Sequence, residues 1–377
     1  MLKWTLISFL ALLGWSSAAR VQYSLRYNQV SCTSCHFSPS GGGPRTRQGK
    51  LFGAHGYAMN PSLAQEYLSA DLKILYYRSQ KSKASRGGMG VMSGAIAGHA
   101  WLDKDERNLF MIQHNVAGFS QAPMMDTYFL TKTQSAWAKA ILIGRFRPAF
   151  GIVTDEHRTY TRMQSSTDSL NLETGAMVSG EPYANWHYDL SLVNGAHNQG
   201  SSLAKDQADQ WGALLNLRYL QTPWLVGVSG SHFEPNQQKL SRRAWSLYGG
   251  VQWQDLNVFL ERVSARGFNS QLGKGFAADS AYVTSIESSE SEGWLSLWEY
   301  SLSLRFQLIY KFDYLMPDIR YRSDFYERHG IGFRWAVGPG VLWLVRLEKA
   351  RATHPTEASG PSIGNQDAAF SVLQVAL

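Results

Sequence analysis

Cysteine is nearly missing from this chain: Cys32 and Cys35 are the only two in 377 residues. No thiol is left for a structural disulfide elsewhere. Charge is thin, at 17% Asp, Glu, Lys and Arg, with a formal balance of +7. The basic residues are scattered rather than clustered, which argues against nucleic acid as a partner. Beyond the N-terminal segment 1–19 there is no apolar run of 18 residues, so a helical membrane span is excluded. No P-loop occurs, no Gly-rich dinucleotide fingerprint follows a strand, and no Ser-His-Asp context stands out. No Pro-rich or low-complexity linker divides the chain, and no repeat of ~40 residues marks a propeller.

Aromatics and glycine are plentiful instead. Trp numbers 13, Tyr 18 and Gly 34, and aromatics make up 13% of the chain. Mean hydropathy is −0.26. A transmembrane β-barrel has this profile, because only alternate residues of each strand face lipid. From about residue 67 the apolar residues recur with period two. Leu304, Phe306, Leu308, Tyr310, Phe312 and Tyr314 alternate with Arg305, Gln307, Lys311 and Asp313. Trp186, Tyr188, Leu190 and Leu192 alternate with His187, Asp189 and Ser191. Trp211, Ala213, Leu215, Leu217 and Tyr219 alternate with Asn216 and Arg218, and Ile331, Phe333, Trp335 and Val337 with Gly332 and Arg334. Trp and Tyr gather at strand ends, as interfacial girdles require. Short connections such as Gln221-Thr222 and Gly338-Pro339-Gly340 contrast with long ones near 196–210, 265–280 and 351–366. The expected fold is therefore all-β: an antiparallel transmembrane barrel over 67–377, of about 16 strands. A soluble β-sandwich or propeller is the competing architecture. The runs Ser165–Gly180 and Tyr282–Tyr300 read ambiguously, and the acidic run Glu287–Glu299 suggests an exposed loop.

The N-terminus predicts export. Lys3, the apolar stretch Trp4–Trp15 and the small residues Ser16-Ser17-Ala18-Ala19 form a secretory signal peptide over 1–19. Shortly after it stands Cys32-Thr33-Ser34-Cys35-His36. C-x-x-C-H is the attachment pattern of a c-type haem. Each thiol forms a thioether to a vinyl group, and the adjacent imidazole ligates the iron. A zinc site or a thiol–disulfide pair is the alternative for the same cysteines. The segment 20–66 offers only Leu51, Phe52, Tyr57 and Leu63 as apolar cover downstream of the motif. A segment of under ~50 residues rarely builds a core alone, so a haem here would need the barrel as shelter. The segment is therefore expected to act as a plug inside or against the barrel.

His36 is the expected proximal ligand. For the distal position His55 comes first, in the same segment, and Met59 second. His99, His114 or His187 of the barrel wall are further candidates. Arg145 and Arg147 would pair with haem propionates if they point inward; solvation of the lumen is the plainer reading. Asp155, Glu156 and His157 form a loop cluster whose ordinary role is solvation, with iron or manganese binding as the sharper alternative.

Arg26–His55 also resembles the N-terminus of fused outer-membrane cytochrome–porins, in Cys32, Cys35, His36, Pro39, Gly41–Gly43, Gly49 and Phe52. Two later stretches, 143–151 with 157–162 and 311–318, are similar to electron-transfer-associated porins. The terminal Leu377 departs from the aromatic end common in such barrels. The best-known members of that family act in iron oxidation at the cell surface. The resemblance implies one covalent haem c and electron transfer between an extracellular metal such as Fe(II) and a periplasmic cytochrome. The alternatives are a diffusion porin with a structural or sensory haem, the barrel of a larger porin–cytochrome conduit, and a soluble periplasmic β-domain. Outer-membrane lipid is the expected surrounding in all but the last.

Overall fold

The computed structural model describes residues 68–81, 84–105, 107–118, 124–152, 159–165, 172–194, 211–221, 223–234, 241–267, 290–303, 305–320, 325–338, 341–352 and 367–376. Cys32, Cys35, His36, His55 and Met59, with the signal segment, lie outside them. So do Asp155, Glu156 and His157.

Sixteen strands and one short helix make up the described fold. The strands are β1 (Leu68–Lys81), β2 (Ala84–Trp101), β3 (Asn108–Gly118), β4 (Met124–Lys132), β5 (Ala140–Phe146), β6 (Glu173–Gly180), β7 (Trp186–Val193) and β8 (Gly212–Gln221). They continue as β9 (Trp224–Phe233), β10 (Arg242–Trp253), β11 (Leu256–Arg266), β12 (Glu290–Ser301), β13 (Phe306–Met316), β14 (Tyr326–Gly338), β15 (Val341–Ala352) and β16 (Asp367–Ala376). The helix, α1 (Tyr160–Ser165), lies between β5 and β6. Every strand pairs antiparallel with its neighbours in sequence. β1 closes the ring on β16, from Asp71 opposite Ala376 to Gln80 opposite Asp367. Closure satisfies all ladder groups and leaves no edge, which a sheet within lipid requires.

The wall is turned inside out relative to a soluble protein. In β7, Leu190 and Leu192 are exposed while His187, Asp189 and Ser191 are buried. In β13, Leu308 and Tyr310 face out while Gln307, Lys311 and Asp313 face in. The outward residues Val226, Val228, Leu247, Leu260, Ile331 and Leu347 form an apolar band. Tryptophans border it: Trp186, Trp224 and Trp253 near one end, Trp211, Trp245 and Trp294 near the other. An apolar band between two aromatic girdles is the outer surface of an outer-membrane barrel, and the soluble alternative is set aside. No helix among the described residues is long and apolar enough to cross a membrane.

The two ends of the barrel differ. One carries the connections 102–107, 133–139, 181–185, 222–223, 254–255, 302–305 and 339–340. The other carries the long ones, including 147–172, 194–211, 267–289 and 353–366. In the two-residue turn 254–255, Gln254 adopts φ 52°, as hairpin turns of this length favour. β1 begins at the short-turn end, where Leu68 pairs with Gly98 of β2. The chain preceding Leu68 therefore joins the barrel at that end.

One sequence expectation needs correction, and one ambiguity is resolved in part. The acidic run 287–299 is largely strand β12, not an exposed loop. Two of its described carboxylates are ion-paired: Glu292 with Arg262 at 2.8 Å on the outer face, Glu299 with Arg334 at 3.1 Å on the inner. The ambiguous run 165–180 is the end of α1 followed, from Glu173, by β6.

Candidate functional site

The connection from β5 to β6 folds into the barrel. Pro148 lacks the N–H a ladder needs and is separated by one residue from the end of β5. Gly151, at φ 56°, turns the chain again. Ala149 and Phe150 between them, and Ile152 just after, are buried. The Gly151 N–H donates to Ser229 Oγ of β9 at 2.8 Å, and the Ile152 N–H to Glu261 Oε1 of β11 at 3.3 Å. Each acceptor is itself held. Ser229 Oγ donates to Asn216 of β8 at 2.9 Å, and Glu261 accepts from Ser246 of β10 at 2.6 Å.

α1 then packs on the inner face of β11, β12 and β13. Gln164 Nε2 donates to Ser291 Oγ at 2.8 Å. Lys311 Nζ donates to Thr159 Oγ1 at 2.9 Å. The Arg328 guanidinium sits 4.5 Å from the centre of the Tyr160 ring. Gly293 lets the helix lie flush on the wall, since a Cβ there would come within 2.3 Å of Gln164 Oε1. β13 lies eight strands from β5 in the ring of sixteen, so the segment runs from one wall to the wall opposite. It crosses the lumen and narrows it.

Opposite β5 the inner wall is a chain of ion pairs. Lys311 and Arg328 both contact Asp313, at 3.0 and 2.7 Å. Arg328 and Arg346 both approach Glu348, at 3.8 and 2.8 Å. Arg334 reaches Glu299 and Gln307. On β7 and β8, Asp189 pairs with Arg218 at 3.0 Å. Cations and carboxylates alternate, so the lumen carries strong local fields within a wall of mixed sign.

Near the attachment point of the N-terminal segment the inner wall changes character. Leu109, Met111, Tyr128, Leu130, Leu142 and Met177 of β3 to β6 face inward and are buried in one apolar cluster. A water-filled barrel interior is normally polar. His99, buried and opposite Met111 in the register, adjoins this patch. His187 also faces inward near the short-turn end, its Nδ1 3.5 Å from Glu181. His114 is different: it is exposed on the outer wall, on the same face as Phe110 and Val116. That removes it from the histidines able to reach a group in the lumen.

Arg145 is buried, with Asp126 and Glu173 as its electrostatic neighbours. Simple parity does not assign its side, because the alternation breaks at Gly144. That residue has φ 138°, Ile143 before it is exposed, and Arg145 and Phe146 after it are both buried. No group of three or more metal-ligating side chains occurs among the described residues.

No protein-family model matches the chain, and no curated relative does. Solved structures do match. The in-vitro folded outer membrane protein OmpT of Vibrio cholerae, in its trimer form, superposes with a TM-score of 0.56 at 9% identity, covering 82% of this chain and 99% of that one. The anion-selective porin from Comamonas acidovorans gives 0.57 at 9% identity, over 82% and 98%. OmpF of Salmonella typhi, solved in complex with daunomycin, gives 0.58 at 9% identity, over 82% and 97%. The fold is that of outer-membrane porins. At such low identity the likeness concerns architecture alone. The inward segment of this porin-fold barrel was not foreseen from sequence. Its signals were Pro148 just beyond a strand, Gly151 close behind, and a loss of period two over 147–172.

Proposed function

We propose that this barrel is a diffusion porin, passing small hydrophilic solutes between its long-loop and short-turn ends. The observation that carries this reading is the segment crossing the lumen, held by Ser229, Glu261, Ser291, Lys311 and Arg328. It sets a size limit, and the ion-pair chain of β12 to β15 lines the passage beside it. The neighbours named above include porins, one of them anion-selective, and the basic balance of +7 points the same way for this chain. Swelling of liposomes containing the purified barrel tests it with sugars of graded size. Small sugars are expected to enter and larger ones to be refused. Absence of any conductance in planar bilayers would overturn the reading.

A second reading adds a haem to the same barrel. It rests on Cys32, Cys35 and His36, and on the apolar patch of β3 to β6. That patch is a suitable lining for a porphyrin, and it lies on the strands close to the point where the N-terminal segment joins. His36 would be the proximal ligand and His55 or Met59 the distal one, with His99 and His187 as wall alternatives. Bound there, the haem would carry single electrons between an extracellular metal such as Fe(II) and a periplasmic cytochrome. Haem staining of membrane fractions tests attachment, and Fe(II) reduction of the purified protein with saturating kinetics tests the electron route. An unstained protein, secreted and assembled normally, would dismiss the haem and leave the porin standing.

A further inference from the structure

Two arginines and a histidine form one row on the outer wall, at the long-loop end. The register sets His232 of β9 opposite Arg243 of β10, and Arg243 opposite Arg266 of β11. All three are exposed. Like charges directly opposite on adjacent strands repel, and no ion pair joins them to a carboxylate among the described residues. The nearest acidic groups are engaged or lie at the margin. Glu290, opposite Arg266, accepts from Ser264 Oγ at 3.0 Å. Glu292 pairs with Arg262 at 2.8 Å. Glu234 follows the end of β9.

The row has a defined height. Trp245 stands two residues from Arg243 along β10, about 7 Å toward the middle of the wall. Arg262 lies between Trp245 and Trp294, 5.6 and 5.2 Å from their rings. Below this belt Val228, Leu247 and Leu260 are exposed. Tryptophan marks the interface between hydrocarbon and headgroups. The arginine row therefore sits among headgroups of the leaflet at the long-loop end, which for a porin-fold barrel is the outer leaflet.

We propose that this face binds an anionic, phosphate-bearing lipid of the outer leaflet. Its acyl chains lie along Val228, Leu247 and Leu260. Its phosphates supply the counter-charge that no described carboxylate gives Arg243 and that Arg266, which ion-pairs with no described residue, shares only with Glu290 across the strand pair. A guanidinium fork matches phosphate oxygens in pairs, with His232 beside the contact in the same row and Arg262 below it toward the middle of the wall. The site is independent of what the lumen conducts.

The test uses the full barrel purified in detergent, with bisphosphorylated lipid A as probe and native mass spectrometry as readout. The unaltered protein is expected to retain lipid A, and to retain it less as salt rises. The double variant Arg243→Gln/Arg266→Gln is expected to lose roughly tenfold or more in affinity. Lys104→Gln/Lys139→Gln removes the same charge at the short-turn end and is expected to change nothing. The proposal is overturned by equal retention in the arginine variant, by an equal loss in the lysine control, by retention insensitive to salt, or by equal binding of dephosphorylated lipid A. Should the glutamine variant fail to assemble, Arg243→Lys/Arg266→Lys keeps the charge but not the fork. Its expected affinity falls between the other two, and unaltered affinity would remove the role assigned to the forks.

Discussion

Arg328→Met tests the anchoring of the lumen segment. Arg328 is buried, touches Asp313 and Glu348, and covers the Tyr160 ring of α1. Methionine keeps much of the bulk and removes the charge. Leaving a buried carboxylate unpaired costs about 3–5 kcal/mol. Here each acid keeps a second cation: Lys311 remains 3.0 Å from Asp313, and Arg346 remains 2.8 Å from Glu348. The wall should therefore lose only about 1–2 kcal/mol, below that range. The helix loses its stacked cation, about 2 kcal/mol for a desolvated contact. A six-residue helix has little stability of its own, so this loss falls on docking. It corresponds to about 30-fold in the ratio of seated to unseated segment. Single-channel recordings in planar bilayers should show higher mean conductance, with steps between two levels. Traces superimposable on those of the unaltered protein, from a barrel shown to be assembled, would refute the anchoring role.

Other substitutions probe the wall and the motif. Gly144→Ala would bring a Cβ within 2.3 Å of the Thr127 carbonyl oxygen at a φ of 138°. Strain and overpacking together should cost about 2–6 kcal/mol, read as loss of the heat-modifiable folded band on a gel; a normal band contradicts the strand break at that glycine. Leu260→Lys places a cation on the apolar band and should cost about 2–4 kcal/mol in denaturant titrations in lipid vesicles. A cost under about 0.5 kcal/mol would mean that this face does not meet lipid. Cys35→Ala should abolish haem staining while the barrel still reaches the membrane fraction; staining that persists would sever the motif from the cofactor.

The wall was readable from sequence wherever a strand meets lipid on one side and the lumen on the other. β7, β8, β13 and β14 carry that two-sided environment as alternation, and the contrast of loop lengths followed, whereas the count of about 16 leaned on the even strand number of such barrels. Alternation misleads where the chain departs from the pleat or where charge is locally neutralised. Gly144 resets the facing of Arg145, and no residue count detects that. The carboxylates of β12 resemble solvent-seeking side chains until Arg262 and Arg334 are placed beside them. The lumen segment was hidden for another reason. Its partners Ser229, Glu261, Ser291 and Lys311 are distant in the chain, and nothing local in 147–172 announces them. The histidines differ: the alternation of β7 already turns His187 inward, as the structure has it, whereas His114 was grouped with the candidates that reach inward and the structure sends it outward.

The anchoring of the lumen segment also constrains the order of assembly. Gly151 meets Ser229 across 78 positions of sequence, and Thr159 meets Lys311 across 152. Such distant partners come together late, because long loops must close first. Nothing can receive α1 until β11 to β13 have joined the growing sheet. A chain inserting hairpin by hairpin would thus pass through a stage that is ring-shaped but unobstructed, and the membrane would briefly carry a wide leak that only the final seating of this short helix narrows.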